Sequence, residues 1–267
     1  MARQVVGLLL QTASTKLVVK LRSMFIKALG VVALLLPAVA CITLASAQPT
    51  AQRGSYTTVP AGADGIGKRY MGRDIAAVMG WQGAAWLERE EREREERTDL
   101  LMTALSLKPG MVVADVGAGT GYLSRRMATA VGPSGKVLAV DVQPEMIEML
   151  KQLAQRSQLS QIVPVLCSES DVSLQPNSVD LAIMVDVYHE LAYPFEVLAS
   201  IIRALKPGGR VVFLEYRAED PRVPIKELHK MSEAQVKREA AAHPLVWERT
   251  VGTLPWQHMV VFRKAQR

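Results

Sequence analysis

From residue 111 to residue 216 the chain alternates between short apolar runs and longer amphipathic stretches. The apolar runs are rich in β-branched residues, as strands are, and they cover residues 111–116, 136–142, 162–167, 180–187 and 210–216. Helical periodicity lies between them, near residues 121–131, 144–157 and 193–205. Strands that alternate with helices form βαβ crossovers, and continuous hydrophobicity is typical of strands covered on both faces. The pattern therefore predicts a parallel sheet between two layers of helices.

Two further apolar runs, residues 245–252 and 257–263, are joined by a short connection and predict an antiparallel hairpin at the edge of this sheet. A helix is predicted just before the hairpin, from Ser232, because serine is a good N-cap. The predicted fold class is α/β: a doubly wound, mostly parallel, Rossmann-like sheet of seven strands with an antiparallel C-terminal hairpin.

The N-terminal segment has a different pattern, and we call residues 1–47 the leader. From Ala28 to Ala47 it is about 20 residues long without a charge, follows Lys27, and ends in an A-x-A motif. These features are typical of a secretory signal peptide, and a run of this length also fits an uncleaved membrane anchor. The positive-inside rule then places the rest of the chain on the periplasmic side. If the leader is misread, a cytoplasmic location is expected instead.

Two segments separate the leader from the predicted α/β domain, residues 111–267. Residues 48–67 are rich in Gly, Pro, Thr and Ala without an apolar period, and predict a linker. Residues 68–110 are expected to form a helical cap. This cap contains the charged run, ten consecutive charged residues from Glu88 to Arg97, six of them Glu and four Arg. Mixed signs at i,i+3 and i,i+4 spacing favour a solvated helix that continues through Leu105.

Composition narrows the classes of function. Of 267 residues, 49% are hydrophobic and 22% charged, which is an ordinary globular balance. The leader holds five basic residues and no acidic one, so 27 basic and 26 acidic residues remain elsewhere and the formal charge falls from +6 to +1. This leaves no electrostatic case for nucleic-acid binding. Only Cys41 and Cys167 are present, without the spacing of a disulfide framework or a structural zinc site, and no metal ligands are predicted.

A glycine-rich loop follows the first predicted strand and opens the next helix, in the order Asp115-Val116-Gly117-Ala118-Gly119-Thr120-Gly121. Glycines allow positive φ and leave no Cβ between a ligand and the backbone, and the following helix presents free N–H groups. In an open α/β sheet, ligands bind beyond the carboxyl ends of the strands. The loop therefore predicts a cofactor site.

The nature of the cofactor follows from two acidic residues. The dinucleotide motif G-x-G-x-x-G does not fit, because the third glycine comes one position early. Asp115 would repel a pyrophosphate but suits a ligand with an ammonium group. Asp141, at the end of the second strand, lies 20 residues beyond Gly121 and can accept hydrogen bonds from ribose hydroxyls. Together these features favour a nucleoside that carries an amino acid.

Four segments resemble, in order, the class I S-adenosylmethionine-dependent methyltransferases, particularly the broad bacterial small-molecule group, over roughly residues 98–216. VADVGAGTGYLS resembles the cofactor loop, and VLAVDVQPEMIE the ribose-binding strand with its helix. DLAIMVDVYHEL resembles the fourth strand with its exit into the active site, and RALKPGGRVVFLEY the fifth strand and its preceding turn.

The resemblance implies S-adenosylmethionine as the cofactor. Its methionine part is expected at the glycine loop and its ribose at Asp141. Glu169 or Asp171 is expected near the adenine amino group, and loop solvation is the alternative for both. The full set of expected cofactor-binding residues is Asp115, Gly117, Ala118, Gly119, Gly121, Asp141, Val142, Glu169 and Asp171.

The exit of the fourth strand is where an acceptor is expected to meet the cofactor. His189 is the first candidate for a general base or orienting group, with Asp186 and Tyr188 as pocket walls. The alternative for His189 is a hydrogen bond to local backbone or to Glu190. Segments outside the common core cap the acceptor pocket in related enzymes, and they add four weaker candidates: Tyr70, Arg73, His229 and His258.

The leading functional hypothesis is methyl transfer from S-adenosylmethionine to a small-molecule or lipid-like acceptor, with membrane association through the leader. The chain lacks the [D/N]-P-P-[Y/F] tetrad of many nucleic-acid methyltransferases, which also argues against a nucleic-acid partner. A non-catalytic S-adenosylmethionine-binding module tethered at the membrane is the second hypothesis. A nicotinamide-dependent oxidoreductase is the third, and the glycine spacing disfavours it.

Overall fold

A computed structural model of the protein describes residues 55–266, and these begin with a small antiparallel sheet. Its strands, in the order β1-β2-β3, are β1 (Tyr56–Thr58), β2 (Gly65–Tyr70) and β3 (Arg73–Ala76). Met71 and Gly72, with φ of 47° and 94°, form the tight turn between β2 and β3. Strands therefore occupy part of the predicted linker, 48–67, and the start of the predicted helical cap, 68–110, and both predictions were wrong there. Residues 48–54 lie outside the described part.

Three short helices follow: α1 (Ala84–Leu87), α2 (Arg92–Glu96) and α3 (Thr98–Leu105). The single helix predicted for the charged run was wrong, because Arg97 adopts a left-handed conformation with φ of 50° and separates α2 from α3. Its predicted solvation was wrong for two of its residues, Arg92 and Glu96, whereas Glu88, Glu90, Glu91, Arg94 and Arg97 are exposed. Arg92 and Glu96 are only 6% and 2% exposed, because Arg92 packs over the ring of Tyr122 and Glu96 accepts a hydrogen bond from the hydroxyl of Tyr216.

The central sheet has seven strands in the order β6-β5-β4-β7-β8-β10-β9, with β10 antiparallel to both of its neighbours. The strands are β4 (Val112–Val116), β5 (Lys136–Asp141), β6 (Ile162–Leu166), β7 (Val179–Val185), β8 (Leu205–Tyr216), β9 (Leu245–Val251) and β10 (Gln257–Lys264). The remaining neighbouring pairs are parallel. The predicted α/β sheet with an antiparallel C-terminal hairpin is confirmed.

Four more helices complete the domain: α4 (Tyr122–Val131), α5 (Pro144–Arg156), α6 (Pro194–Ala204) and α7 (Glu233–Ala240). The Ser232 hydroxyl caps α7 by accepting a hydrogen bond from the Gln235 main-chain N–H, as predicted. Apolar residues of α6 and α7 join one core cluster, and those of α3, α4 and α5 join a second. Successive residues of β8 alternate between these clusters, so the sheet is covered on both faces.

The ends of three strands differ from their predicted bounds in ways that shape the site. The runs 136–142 and 180–187 were predicted one and two residues too long, because the chain leaves the sheet after Asp141 and after Val185. Asp186 then takes a positive φ of 52°. The fifth parallel strand begins at Leu205 rather than at residue 210, and a register shift within it accommodates the glycine turn that was expected to precede it.

Among the helices of residues 55–266, none is long and apolar enough to cross a membrane. The leader, residues 1–47, lies outside the described residues.

Candidate active site

A cavity of about 580 Å³ lies at the carboxyl ends of the parallel strands. Each of these strands contributes a lining residue at or just after its end: Gly117, Asp141, Cys167, Asp186 and Tyr216. The first strand of the parallel set, β4, has β5 on one side and β7 on the other, so the strand order reverses beside it. This is the topological switch point at which open α/β sheets bind their ligands.

The glycine loop approaches the cavity without side chains in the way. Gly117 has a φ of 74°, and a Cβ at this position would lie 2.5 Å from Cγ2 of Val187. Gly119 has a φ of 54°, and its main-chain N–H donates to Oδ2 of Asp141 at 2.9 Å. The loop after β4 is therefore fixed by the end of β5, and both glycines line the cavity.

Asp141 combines burial with an open approach from the cavity. Its Oδ1 accepts from the main-chain N–H of Gln143 at 2.9 Å, so each carboxylate oxygen has one fixed donor and a further lone pair. Burial raises the pKa of this carboxyl above its usual range, although the backbone donors lower it. Val142, the next residue, also lines the cavity. The geometry of Asp141 therefore suits hydroxyl donors, and its contact with the ribose stays a prediction.

The structure places only part of the predicted cofactor set on the cavity wall. Gly117, Gly119, Asp141, Val142 and Glu169 line it. Four predicted residues lie off that wall: Asp115, Ala118, Gly121 and Asp171.

Each of these four has another role. Asp115 is 3% exposed and accepts a hydrogen bond from Oγ of Ser124 at 2.5 Å, behind the loop. Burial raises its pKa to about 6. The main-chain N–H of Ala118 donates to the Val140 carbonyl, and Gly121 faces α5. Asp171 pairs with Arg203 at 2.7 Å on the outside of the domain. Of the two residues expected near the adenine, only Glu169 therefore lines the cavity, and Asp171 does not.

His189 reaches the cavity, and its other side is fixed by a residue that the sequence analysis missed. Its Nδ1 lies 2.6 Å from Oε2 of Glu215, a fully buried residue on β8. Burial lowers the pKa of His189, but the carboxylates of Glu215 and Glu190 outweigh burial and raise it to about 10. His189 is thus not satisfied by local groups alone: its orientation depends on a strand two elements later in the chain.

Of the two residues predicted to line the pocket beside His189, one lines the cavity and one does not. Tyr188 is fully buried and packs edge-on against Phe213, so its predicted place on the pocket wall was wrong. Asp186 does line the cavity, and its Oδ2 accepts from Nε2 of Gln257 at 2.6 Å. The buried Oδ1 of Asp186 has no hydrogen-bond partner within residues 55–266. A strained residue with an unsatisfied carboxylate oxygen on a cavity wall indicates a ligand contact.

Of the four weaker candidates, one lines the cavity and three do not. His229 lines the cavity, with Nδ1 3.3 Å from Nε2 of His189. Arg73 forms an ion pair with Glu239 and donates to the carbonyl of His189, so it supports the turn from behind. Tyr70 and His258 are buried away from the lining.

The charged run forms one wall of the cavity, which sequence patterning did not indicate. Glu96 accepts hydrogen bonds from Arg89, from Arg92 and, at 3.0 Å, from the hydroxyl of Tyr216. All four side chains line the cavity. Leu87, just before the run, approaches the glycine loop so closely that a Cβ on Gly119 would lie 2.6 Å from its Cδ1. The cap thus closes the site over the loop.

These features fit S-adenosylmethionine. The side-chain-free loop leaves room for a ligand against the backbone, Asp141 offers acceptors for two hydroxyls, and Glu169 offers an acceptor for an amino group. Asp186 adds a carboxyl oxygen without a hydrogen-bond partner among the described residues, and burial together with the carboxylates of Glu96 and Glu215 raises the pKa of this group.

Comparison with known proteins agrees with this geometry. The family model described as "Methyltransferase domain" matches residues 107–262. The chain is 29% identical over 111 residues to a ubiquinone/menaquinone biosynthesis C-methyltransferase, UbiE, of Ectopseudomonas mendocina, covering 41% of this chain and 43% of that protein. It is 31% identical over 125 residues to a demethylmenaquinone methyltransferase of Oceanobacillus iheyensis, covering 47% of this chain and 52% of that one. The chain thus spans about half the length of these curated relatives, or less.

Solved structures show the same fold. A SAM-dependent methyltransferase from Aquifex aeolicus superposes with a TM-score of 0.67 at 24% identity, over 70% of this chain and all of that one. A geranyl diphosphate methyltransferase in complex with SAM has a TM-score of 0.52 at 18% identity, over 72% of this chain and 97% of that one. The chain therefore belongs to the methyltransferase domain family, and S-adenosylmethionine is the cofactor of its site.

Proposed function

We propose that the protein transfers a methyl group from S-adenosylmethionine to a small, partly apolar, lipid-like acceptor. The carrying observation is that one cavity is lined both by the cofactor residues and by His189, whose Nδ1 is fixed from behind by the buried Glu215. Gly117, Asp141 and His189 all line this cavity. Donor and acceptor must share one space for an in-line transfer, and this cavity supplies it.

The lining of the cavity supports an acceptor with an apolar body. Beyond the cofactor residues, much of the wall consists of apolar side chains from residues 66–87, from the turn after β7 and from the segment after β8. They are Ile66, Val78, Met79, Trp86, Leu87, Leu191, Pro224 and Ile225. The names of two relatives refer to menaquinone, and such an acceptor would match this wall.

Different residues of the cavity position the cofactor and the acceptor. Bound S-adenosylmethionine supplies an electrophilic methyl group. Asp141 and the glycine loop orient the cofactor that carries this methyl group, and Asp186, with its Oδ1 unpartnered in the described part of the chain, lines the same cavity. His189, whose Nδ1 is fixed by Glu215, presents Nε2 to the acceptor and orients the atom to be methylated.

The test uses the full chain with radiolabelled S-adenosylmethionine and bacterial lipid and metabolite extracts. Label is expected in a product that partitions into organic solvent. His189→Ala should abolish labelling while calorimetry shows unchanged S-adenosylmethionine affinity, and His243→Ala, outside the cavity, should retain labelling. Binding without any labelled product would favour the non-catalytic module, and binding of NADH alone would favour an oxidoreductase.

We further propose that the leader carries the domain to, or across, a membrane, in keeping with its charge-free run and basic flank. Cell fractionation with mass spectrometry of the mature N-terminus tests this. Recovery of the domain in the membrane or periplasmic fraction is expected, and a soluble cytoplasmic protein with an intact N-terminus would contradict it.

A further inference from the structure

Three side chains on the acceptor side of the cavity bring their donor atoms to one point. Nε2 of His189 lies 3.3 Å from Nδ1 of His229 and 3.8 Å from Oε1 of Glu190. Nδ1 of His229 lies 3.2 Å from the same Glu190 oxygen. All three residues line the cavity. Two imidazole nitrogens and one carboxylate oxygen therefore form a small triangle that faces open space.

The size of this triangle fits the coordination sphere of one ion. Nitrogen and carboxylate ligands lie about 2.1 Å from zinc, so neighbouring ligand atoms are about 3.4 Å apart in a tetrahedral site. At the same bond length the separation is about 3.0 Å in an octahedral site. The three separations, from 3.2 to 3.8 Å, need only small side-chain adjustments to reach either geometry.

The groups behind the triangle have the arrangement expected of outer-sphere support. Nδ1 of His189 lies 2.6 Å from Glu215, which leaves Nε2 as the ring nitrogen that faces the triangle. The second oxygen of Glu190 accepts from the main-chain N–H of Met79 at 3.3 Å. Arg73 donates to the carbonyl of His189 at 3.0 Å and holds the turn that carries two of the three ligands.

The donor types identify the class of ion. Two imidazoles and one carboxylate are typical of sites for zinc, ferrous iron and their first-row neighbours, and such sites keep open positions for water or substrate. Magnesium and calcium prefer oxygen donors and bind imidazole nitrogen poorly. Magnesium also gives up its bound water reluctantly. The carboxylates of Glu190 and Glu215 together balance the charge of a divalent cation.

We propose that His189, Glu190 and His229 bind one divalent transition-metal ion whose open positions face the cavity. In the proposed methyl transfer, on which this inference rests, the ion would bind an oxygen of the acceptor and hold that oxygen beside the cofactor. His189 then orients the acceptor through the metal rather than by its own hydrogen bond. Glu215 is a positioning residue for this site, because it contacts His189 and not the ion.

The test is metal binding by the full chain, produced without a histidine tag and stripped with a chelator. Cobalt titration should give visible absorption bands that saturate at one ion per chain and disappear when zinc is added. Excess magnesium should not compete. His229→Ala is the main variant, because this side chain is partly exposed and its removal leaves the buried core intact. It and Glu190→Gln should each weaken binding by more than 100-fold, and Glu215→Gln by about 10- to 100-fold.

His243→Ala is the matched control, since His243 packs on Phe195 away from the triangle, and it should bind cobalt as the unaltered chain does. Thermal melts of the stripped proteins check that every variant is folded. Failure to bind a stoichiometric ion would overturn the proposal, and so would binding by His229→Ala and Glu190→Gln that is as tight as binding by the unaltered chain. The assay contains neither acceptor nor S-adenosylmethionine, so labelled product without metal binding would remove only this inference. Metal binding without any product would remove only the proposed function.

Discussion

Gly119 donates its main-chain N–H to Oδ2 of Asp141 at 2.9 Å, and this contact joins the glycine loop to the end of the neighbouring strand. One carboxylate thus does two things. It fixes the glycine loop, and its remaining lone pairs are open to the ribose hydroxyls that we predict there. A change at Asp141 should therefore affect binding more than one lost hydrogen bond would suggest.

Asp141→Asn should weaken S-adenosylmethionine binding by about 10- to 100-fold, because hydrogen bonds to a charged group contribute about 1.5–3 kcal/mol. Asp171→Asn is the matched control: the same substitution at a residue first expected to bind cofactor, which instead pairs with Arg203. Its affinity should stay within a factor of about two. Calorimetry measures both, and equal losses in the two variants would contradict the assignment of Asp141.

Gly117→Ala should damage both the loop and the binding site. Its φ of 74° disfavours any side chain, and the new Cβ would meet Val187 at 2.5 Å. We expect a loss of at least about 1–2 kcal/mol in the free energy of unfolding, together with much weaker cofactor binding. The double variant Gly117→Ala, Val187→Ala removes the clash but keeps the φ strain. It should recover part of the stability, and no recovery at all would show that the contact with Val187 is unimportant.

Glu96→Ala should be the most destabilising change in the charged run. Glu96 is 2% exposed and balances Arg89 and Arg92, so its removal leaves buried positive charge uncompensated. A loss of about 3–5 kcal/mol in the free energy of unfolding is expected. Glu90→Ala, an exposed glutamate in the same run, should change stability by less than about 0.5 kcal/mol. Denaturant unfolding measures both, and similar values for the two would contradict the buried role of Glu96.

What the sequence could and could not predict follows from how local each signal is. The strands of the central sheet are continuous apolar runs, and the loop from Gly117 to Gly121 lies between one of them and a helix, so both were visible in short windows. Asp141 was found because it ends the next run. The strands β1 to β3 were missed because they are short and carry no clear apolar alternation, and β2 also contains two glycines.

The rest of the site depends on contacts between distant segments. His229 comes 40 residues after His189, and Glu215 comes 26 residues after it, and no spacing rule links them. The prediction of no metal ligands rested on such rules and did not anticipate the triangle with Glu190. Glu96 looked like one more solvated charge, because the run gives no sign of which glutamate meets Tyr216. Burial of this kind is decided by packing, not by composition.

Asp115 gives the stability of the protein a specific pH dependence. Burial raises its pKa from 3.8 to about 6, while Ser124 and Arg92 partly oppose that rise. A carboxyl with a raised folded-state pKa favours the folded state at low pH, and this contribution is lost as the pH rises through about 6. The charged form thus costs the folded protein on the order of 3 kcal/mol at neutral pH. Asp115→Asn, which keeps a polar partner for Ser124, should remove this dependence. Denaturant unfolding from about pH 4 to about pH 8 should show the variant gaining stability relative to the unaltered protein across the interval between pH 3.8 and 6. A difference that stays constant with pH would show that Asp115 remains charged, or remains neutral, throughout.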